Sequence, residues 1–110
     1  MIVLQTFTHN SRKATKMLNS ITLIGHVGQD PTVKHISDVT QVSNFSVAYT
    51  EKYKDQPQTT WFNVQAWNSL SKIVQNQVKK GDLITIVGKM TSREAEGKTY
   101  WTLTAERVIV

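Results

Sequence analysis

The chain of 110 residues contains no cysteine, which excludes disulfide scaffolds, cysteine-ligated zinc and thiol chemistry. It has no run near the ~18 apolar residues that a membrane span requires. Its first 16 residues lack the apolar segment of ~7–15 residues that is typical of secretory signals. These absences predict a soluble, intracellular protein, and the length predicts a single folded domain.

Patterns that carry catalysis or cofactor binding are also missing. The three histidines, His9, His26 and His35, show no metal-ligand spacing. The carboxylates are scattered rather than paired across a site, and no phosphate-binding GxxxxGK[ST] loop occurs. The sequence therefore predicts a protein that is not an enzyme and that uses no metal and no cofactor.

Positive charge is in modest excess, with 13 Lys and Arg residues, eight acids and a net charge of +5. Three of the cations lie in the acid-free residues 1–16: Arg12, Lys13 and Lys16. Residues 17–110 carry only +2, so the charge favours a nucleic acid partner weakly. We interpret residues 1–16 as a flexible basic extension that folding does not need. A translation start at Met17 and a short targeting segment are the alternatives.

Alternation of apolar and polar residues predicts five principal strands and one short one. The principal strands cover residues 19–29, 41–50, 60–67, 82–90 and 98–110, and the short strand covers residues 32–36. We expect residues 51–59 to form a polar loop and residues 91–97 to form a charged hairpin connection.

Residues 69–79 change to helical spacing, with one apolar stripe formed by Leu70, Ile73, Val74 and Val78. We expect Ser69 to cap the start of this helix and Gly81 to follow its end. Lys79 and Lys80 would then suit the negative end of the helix dipole.

Five principal strands with one helix between the third and the fourth are the order expected of an OB-fold. Gly25 and Gly28 in the first strand favour the bending that barrel closure requires. We predict an all-β, five-stranded Greek-key barrel over residues 17–110, and a small open α+β domain is the alternative.

The third principal strand carries two tryptophans on its polar side. Phe62, Val64 and Ala66 share one face, whereas Trp61 and Trp67 share the other with Asn63 and Gln65. Either another element covers these rings or they form a stacking surface for the bases of a single strand. Cations that could contact phosphates lie near aromatic residues in the sequence: Lys52 and Lys54 around Tyr53, then Lys89 and Arg93 on the next strand and its turn.

Four segments resemble the bacterial-type single-stranded DNA-binding protein (SSB) family. They are residues 17–31 (MLNSITLIGHVGQDP), 44–48 (NFSVA), 60–67 (TWFNVQAW) and 78–81 (VKKG), with Gly88 and Lys89 ending the next strand. The resemblance covers residues 17–110 and implies an OB-fold, a homotetramer, binding of single-stranded DNA and no catalysis.

The resemblance also implies roles for particular residues. Trp61 corresponds to a stacking tryptophan of the family, Trp67 to a stacking phenylalanine and Tyr53 to a loop tryptophan. Basic positions of the family are matched by Lys34, Lys79, Lys80, Lys89 and Arg93. Ala95 stands where many members have a further tryptophan, and we expect Tyr100 or Trp101 to replace it.

The function expected from these features is sequence-tolerant coating and protection of single-stranded DNA in replication, recombination and repair. The alternatives are an OB-fold interaction module of primosome or replication-restart type and an OB enzyme or tRNA-binding appendage. Replication and repair proteins are further partners in the family, but the chain shows no acidic tip that would recruit them, and we expect no membrane contact. The expected location is the bacterial cytoplasm, with a plastid or the mitochondrial matrix as the alternative.

Overall fold

The computed structural model describes residues 17–110, so the predicted basic extension over residues 1–16 lies outside the described residues. The elements are β1 (Ile21–Val27), β2 (Thr32–His35), β3 (Gln41–Tyr53), β4 (Gln56–Trp67), α1 (Ser69–Gln77), β5 (Leu83–Ala95) and β6 (Lys98–Ile109). No helix within residues 17–110 is long and apolar enough to cross a membrane.

The strands form one sheet in the order β1-β5-β6-β4-β3-β2, and β1 also pairs with β3. β1 is antiparallel to β5 from Ile21 to His26 and antiparallel to β3 at His26 and Val27. The β4–β6 pair is parallel, whereas the other pairs are antiparallel. The second pairing of β1 joins the two ends of the sheet, so β1, β3, β4, β5 and β6 form the closed barrel that the sequence predicts.

Alternate residues of each strand fill the barrel. Leu23, Phe45, Val64, Ile84 and Leu103 are all buried in one cluster, one from each barrel strand. α1 lies between the third and fourth principal strands, as expected, and adds Val74 to this core. Val78, the residue that follows the helix, is buried in the same core. The period-two pattern therefore identifies the inward faces correctly.

Two segments expected to connect strands are continuous strand instead. Residues 51–59 extend β3 and β4, and the turn is reduced to Lys54 and Asp55, both with positive φ. Residues 91–95 likewise belong to β5, and the turn is Glu96 and Gly97, again with positive φ. Two-residue turns with both residues left-handed match the twist of an antiparallel pair, so they support long hairpins. The polar composition of these segments reflects exposure of both hairpin faces.

The ends of α1 also differ from the prediction. Asn68, rather than Ser69, precedes the helix, and its side chain does not cap the first turn. Asn68 Oδ1 instead accepts a hydrogen bond from the backbone N–H of Gln41 (3.2 Å), which ties the helix start to β3. The helix ends at Gln77 with no basic residue in its last turn, because Val78 is already extended and Lys79 and Lys80 lie beyond it.

One face of α1 holds a polar contact that the apolar stripe does not predict. Ser71 is fully buried, and its hydroxyl lies 2.6 Å from that of Ser43 on β3. Ile73, assigned to the stripe, is exposed. The two serines satisfy each other and fix the helix against the barrel, because an unpaired buried hydroxyl would be costly.

Gly88 lies where β6 bulges against β5. The register between the two strands shifts between Val87 and Gly88, so Glu106 is the extra residue on β6. A Cβ atom at position 88 would collide with the backbone carbonyl group of Thr104. The bend of β6 that closes the barrel therefore requires glycine at this position.

We expect Gly88→Ala to lower the free energy of unfolding by about 3 kcal/mol or more, because backbone atoms cannot yield as side chains do. Gly97→Ala is the matched control. It lies in open space at φ 76° and should cost only about 1 kcal/mol of left-handed strain. Urea unfolding at equal protein concentration measures both changes. Equal losses for the two variants would contradict this account of the bulge.

Candidate nucleic-acid interface

Trp61 and Trp67 both point away from the core on β4. Phe62, Val64 and Ala66 occupy the inward positions, and the two tryptophans remain 59% and 39% exposed, respectively. Neither α1 nor another part of residues 17–110 covers them. The two rings are therefore available as a surface.

Gly28 sets the position of the Trp61 ring. A Cβ atom at Gly28 would collide with Cζ3 of Trp61 and lie 2.9 Å from Cη2, so the ring rests directly against this glycine. The backbone N–H of Gly28 bonds the carbonyl of Ser46, which fixes the glycine beside β3. The absence of a side chain at Gly28 thus leaves the space that the Trp61 ring occupies.

The outer side of β2, β3, β4, β6 and β5 forms one continuous surface, which we call the stacking face. Val64 and Leu103 are paired between β4 and β6, and Trp61 and Tyr100 each lie three residues before this pair. By strand alternation both point outward. Arg93 pairs with Tyr100, and its guanidinium lies 5.0 Å from the centre of that ring.

Three further cations share the stacking face. Lys89 is the partner of outward-facing Thr104. Lys34 lies across from Val42, which in turn lies across from Trp67. Val42 is only 3% exposed, although its alternation places it on the outer side between Lys34 and Trp67. Lys52 follows the same outward alternation on the arm of the β3–β4 hairpin.

Tyr53 and Lys54 lie at the tip of the β3–β4 hairpin. Tyr53 alternates with Lys52, so it faces the other side of the hairpin, where its ring lies 5.4 Å from Lys54 Nζ. Glu51 shares that side and accepts a hydrogen bond from Tyr49 Oη (3.0 Å). This bond, with the carboxylate charge, raises the pKa of Tyr49. The structure therefore does not bring Tyr53 onto the stacking face.

Trp101 belongs to the inward alternation of β6, with Leu103 and Ala105. It lies across from Ser92 on the hairpin arm beyond the barrel, where it is 57% exposed. Tyr100 and Trp101 are therefore both accessible but on opposite sides of the hairpin. Only Tyr100 shares a face with Trp61.

Lys79 and Lys80 lie in the turn between α1 and β5. The backbone N–H of Lys80 bonds Asp30 Oδ1 (2.8 Å), and the N–H of Lys79 bonds Asp82 Oδ2 (2.9 Å). Asp30 is two residues from Gly28, so its bond ties the turn at Lys80 to the segment that follows β1. The two lysines are peripheral to the aromatic centre of the stacking face.

Polar residues that the sequence analysis left without a role occupy the middle of the face. Asn44 and Gln65 are cross-strand partners, and Ser46 and Asn63 form the next pair. Together with Gln29, Thr32 and Thr102 they line a cleft of about 350 Å³. The signal in the sequence is the alternation of amides with core residues on both strands, which becomes informative only once the pairing register is known. No group of three His or acidic side chains within residues 17–110 could hold a metal ion.

A closed barrel with exposed rings and cations on its outer sheet is typical of OB-folds that bind oligonucleotides. Comparison with known families is consistent with that class. The profile of the single-strand binding protein family matches residues 18–110. The chain belongs to this family, as the resemblance in its sequence indicates.

Relatives among characterised proteins carry the same name. A single-stranded DNA-binding protein of Neisseria meningitidis (serogroup A) is 36% identical over 86 residues, covering 74% of this chain and 49% of the relative. Single-stranded DNA-binding protein 1 of Synechocystis sp. is also 36% identical, over 94 residues, covering 84% of this chain and 77% of the relative. The chain thus spans about half the length of its Neisseria relative.

A solved structure supports the fold. The crystal structure of the SSB domain of a Synechococcus sp. protein superposes with a TM-score of 0.72 at 18% identity. The match covers 87% of this chain and 99% of that domain. The barrel geometry is therefore shared although most side chains differ.

We expect Gly28→Ala to displace the Trp61 ring while leaving the barrel folded, because the exposed end of the indole can swing away. Affinity for thymidine oligonucleotides should fall by up to about 1 kcal/mol, a part of one stacking contact. Tryptophan emission should change as well, and that change should vanish in a Trp61→Phe background. Unchanged emission and affinity would show that the glycine does not position the ring.

Proposed function

We propose that this chain binds single-stranded DNA without base selectivity and coats exposed strands in replication, recombination and repair. One observation carries the proposal: exposed rings and cations are interleaved on the stacking face. The rings are Trp61, Trp67 and Tyr100, and the cations are Lys34, Lys52, Lys89 and Arg93. The names of the relatives support the same substrate.

Two interactions supply the affinity: rings stack on the bases, and cations attract the phosphates. Every nucleobase has a π-face, so exposed rings stack on any sequence, at about 1–3 kcal/mol per base. Cations beside the rings neutralise phosphates and release counterions, which adds a salt-dependent affinity. Arg93 already lies over the Tyr100 ring and so keeps a positive charge next to a stacking position. The proposed activity is binding alone, in which no covalent bond is made or broken.

Titration with poly(dT), followed by intrinsic tryptophan fluorescence, tests this proposal. Bases that stack on Trp61 and Trp67 quench their emission, and the binding isotherm gives the affinity at a stated salt concentration. A chain that serves only as a protein-interaction module would show no quenching and no salt-dependent isotherm, and that result would reject DNA binding.

We expect Trp61→Ala, Trp67→Ala and Tyr100→Ala each to weaken poly(dT) binding by about 1–3 kcal/mol at fixed salt. Trp101→Ala is the matched control, since it removes a ring of equal size from the opposite side of the hairpin. It should cost less than about 0.5 kcal/mol, below the stacking range. The reverse order for Tyr100 and Trp101 would show that the strand runs over the other hairpin side.

We propose further that the chain assembles as a homotetramer of about 50 kDa from 12.5 kDa chains. Residues 21–25 of β1 pair with β5 on one edge, while pairing with β3 begins only at His26. An unpaired strand edge is a template for pairing with another chain. The outer face beside it exposes three large apolar side chains on neighbouring strands, Ile24, Leu83 and Ile109. A second copy of this edge and face is the occupant that fits.

We expect Ile24→Lys to reduce the molar mass in solution, because a charge on this apolar face opposes association. Light scattering coupled to size exclusion at micromolar concentration measures the mass. Lys72→Ala on exposed α1 serves as the surface control and should leave the mass unchanged. A mass of 12.5 kDa for the unsubstituted chain would reject the assembly outright.

A further inference from the structure

The cleft in the middle of the stacking face is lined mostly by uncharged polar residues, together with Phe45 and Val64. Three amides, Asn44, Asn63 and Gln65, lie on successive outward-facing pairs of the β3–β4 ladder. Thr32, Ser46 and Thr102 add hydroxyls around them. None of the residues lining this cleft carries a charge. The cations that can neutralise phosphates lie elsewhere on the stacking face, whereas paired neutral donors and acceptors match the edges of nucleobases.

The cleft lies between the two tryptophans of β4. Trp61 and Trp67 are six residues apart on β4, about 20 Å at roughly 3.3 Å per residue. Asn63 and Gln65 are the outward residues between them. A strand that runs along β4 from one ring to the other therefore crosses these amides.

We propose that this cleft is a base-edge subsite, that is, a place where one nucleobase of the strand is held by hydrogen bonds to its edge. This base lies between the two that stack on Trp61 and Trp67. The inference rests on the proposed function, which supplies the strand. It adds a third kind of contact, hydrogen bonding to a base edge, to stacking and phosphate contact. Neither the family match nor the relatives' names assign this contact.

The amide pair at the centre makes the subsite tolerant of base identity. Gln65 Nε2 donates to Asn44 Oδ1 (3.1 Å), which leaves the Asn44 amide hydrogens and Gln65 Oε1 for a ligand. If both amides rotate by half a turn, the bond between them is kept with donor and acceptor exchanged. The pair then offers the opposite pattern to the ligand. Each of the four bases presents a donor next to an acceptor or the reverse, so the cleft serves them all.

The test compares two probes that stack alike but differ at the base edge. One is a thymidine oligonucleotide, and the other carries 2,4-difluorotoluene in place of thymine, a base of the same shape that hydrogen-bonds poorly. The measured quantity is the ratio of the two affinities. Between the unsubstituted chain and the double variant Asn44→Leu/Gln65→Leu, this ratio should fall about tenfold, as expected for one or two net hydrogen bonds.

Two variants control for general damage. Gln58→Leu makes the same substitution on the other side of β4 and should keep the ratio of the unsubstituted chain. Trp61→Ala should weaken both probes equally, because stacking does not depend on the base edge. Should the double variant fail to fold, Asn63→Leu carries the test, since Asn63 is exposed and its side chain makes no hydrogen bond within residues 17–110. A threefold fall in the ratio is expected there.

The outcomes distinguish a failure of the proposed function from a failure of the subsite. A chain that binds neither probe overturns the proposed function and this subsite with it. A chain that binds both probes, with a ratio that stays within twofold in every cleft variant, overturns the subsite alone. Losses of the double variant on thymidine, deoxycytidine and deoxyadenosine homopolymers should agree within threefold. A loss confined to one homopolymer would refute the amide rotation.

Discussion

The second pairing of β1 is the constraint on which the architecture depends. One short strand bonds β5 along most of its length and then β3 at His26 and Val27, so it joins both ends of the sheet. Gly25 permits this passage, since a Cβ atom there would meet the backbone of Ala48 and the side chain of Val47. Closure curves the sheet into a barrel with one buried side. Within this sheet, direct pairing of β2, β3, β4 and β6 places Lys34, Trp61 and Tyr100 on one outer surface.

Sequence periodicity predicted the barrel because inward positions repeat with period two in every strand. Val64 and Ala66 on β4 and Ile84 and Ile86 on β5 are buried as the alternation indicates. The same alternation, without any tertiary contact, places Trp61 and Trp67 on the polar side of β4. These features are local, and local patterning is what a single sequence records.

The missed features depend on pairing between distant residues or on turn chemistry. Lys54 and Asp55 form a tight turn without glycine, so composition suggested a loop where a hairpin forms. The hydroxyl pair of Ser43 and Ser71 joins residues 28 positions apart. The amide pair of Asn44 and Gln65 likewise requires the β3–β4 register. No spacing rule within one strand reveals such contacts.

The stacking face spans two parts of the molecule that differ in how many buried contacts lie beneath them. Trp67, Asn44 and Gln65 lie over the barrel, where each strand has a buried layer beneath it. Arg93, Tyr100 and Lys52 lie on hairpin arms whose residues are exposed on both faces. Elements with few buried contacts open at lower free energy than the core. The barrel half of the face is therefore ordered in advance, whereas the hairpin half can adjust its shape to whatever lies across it.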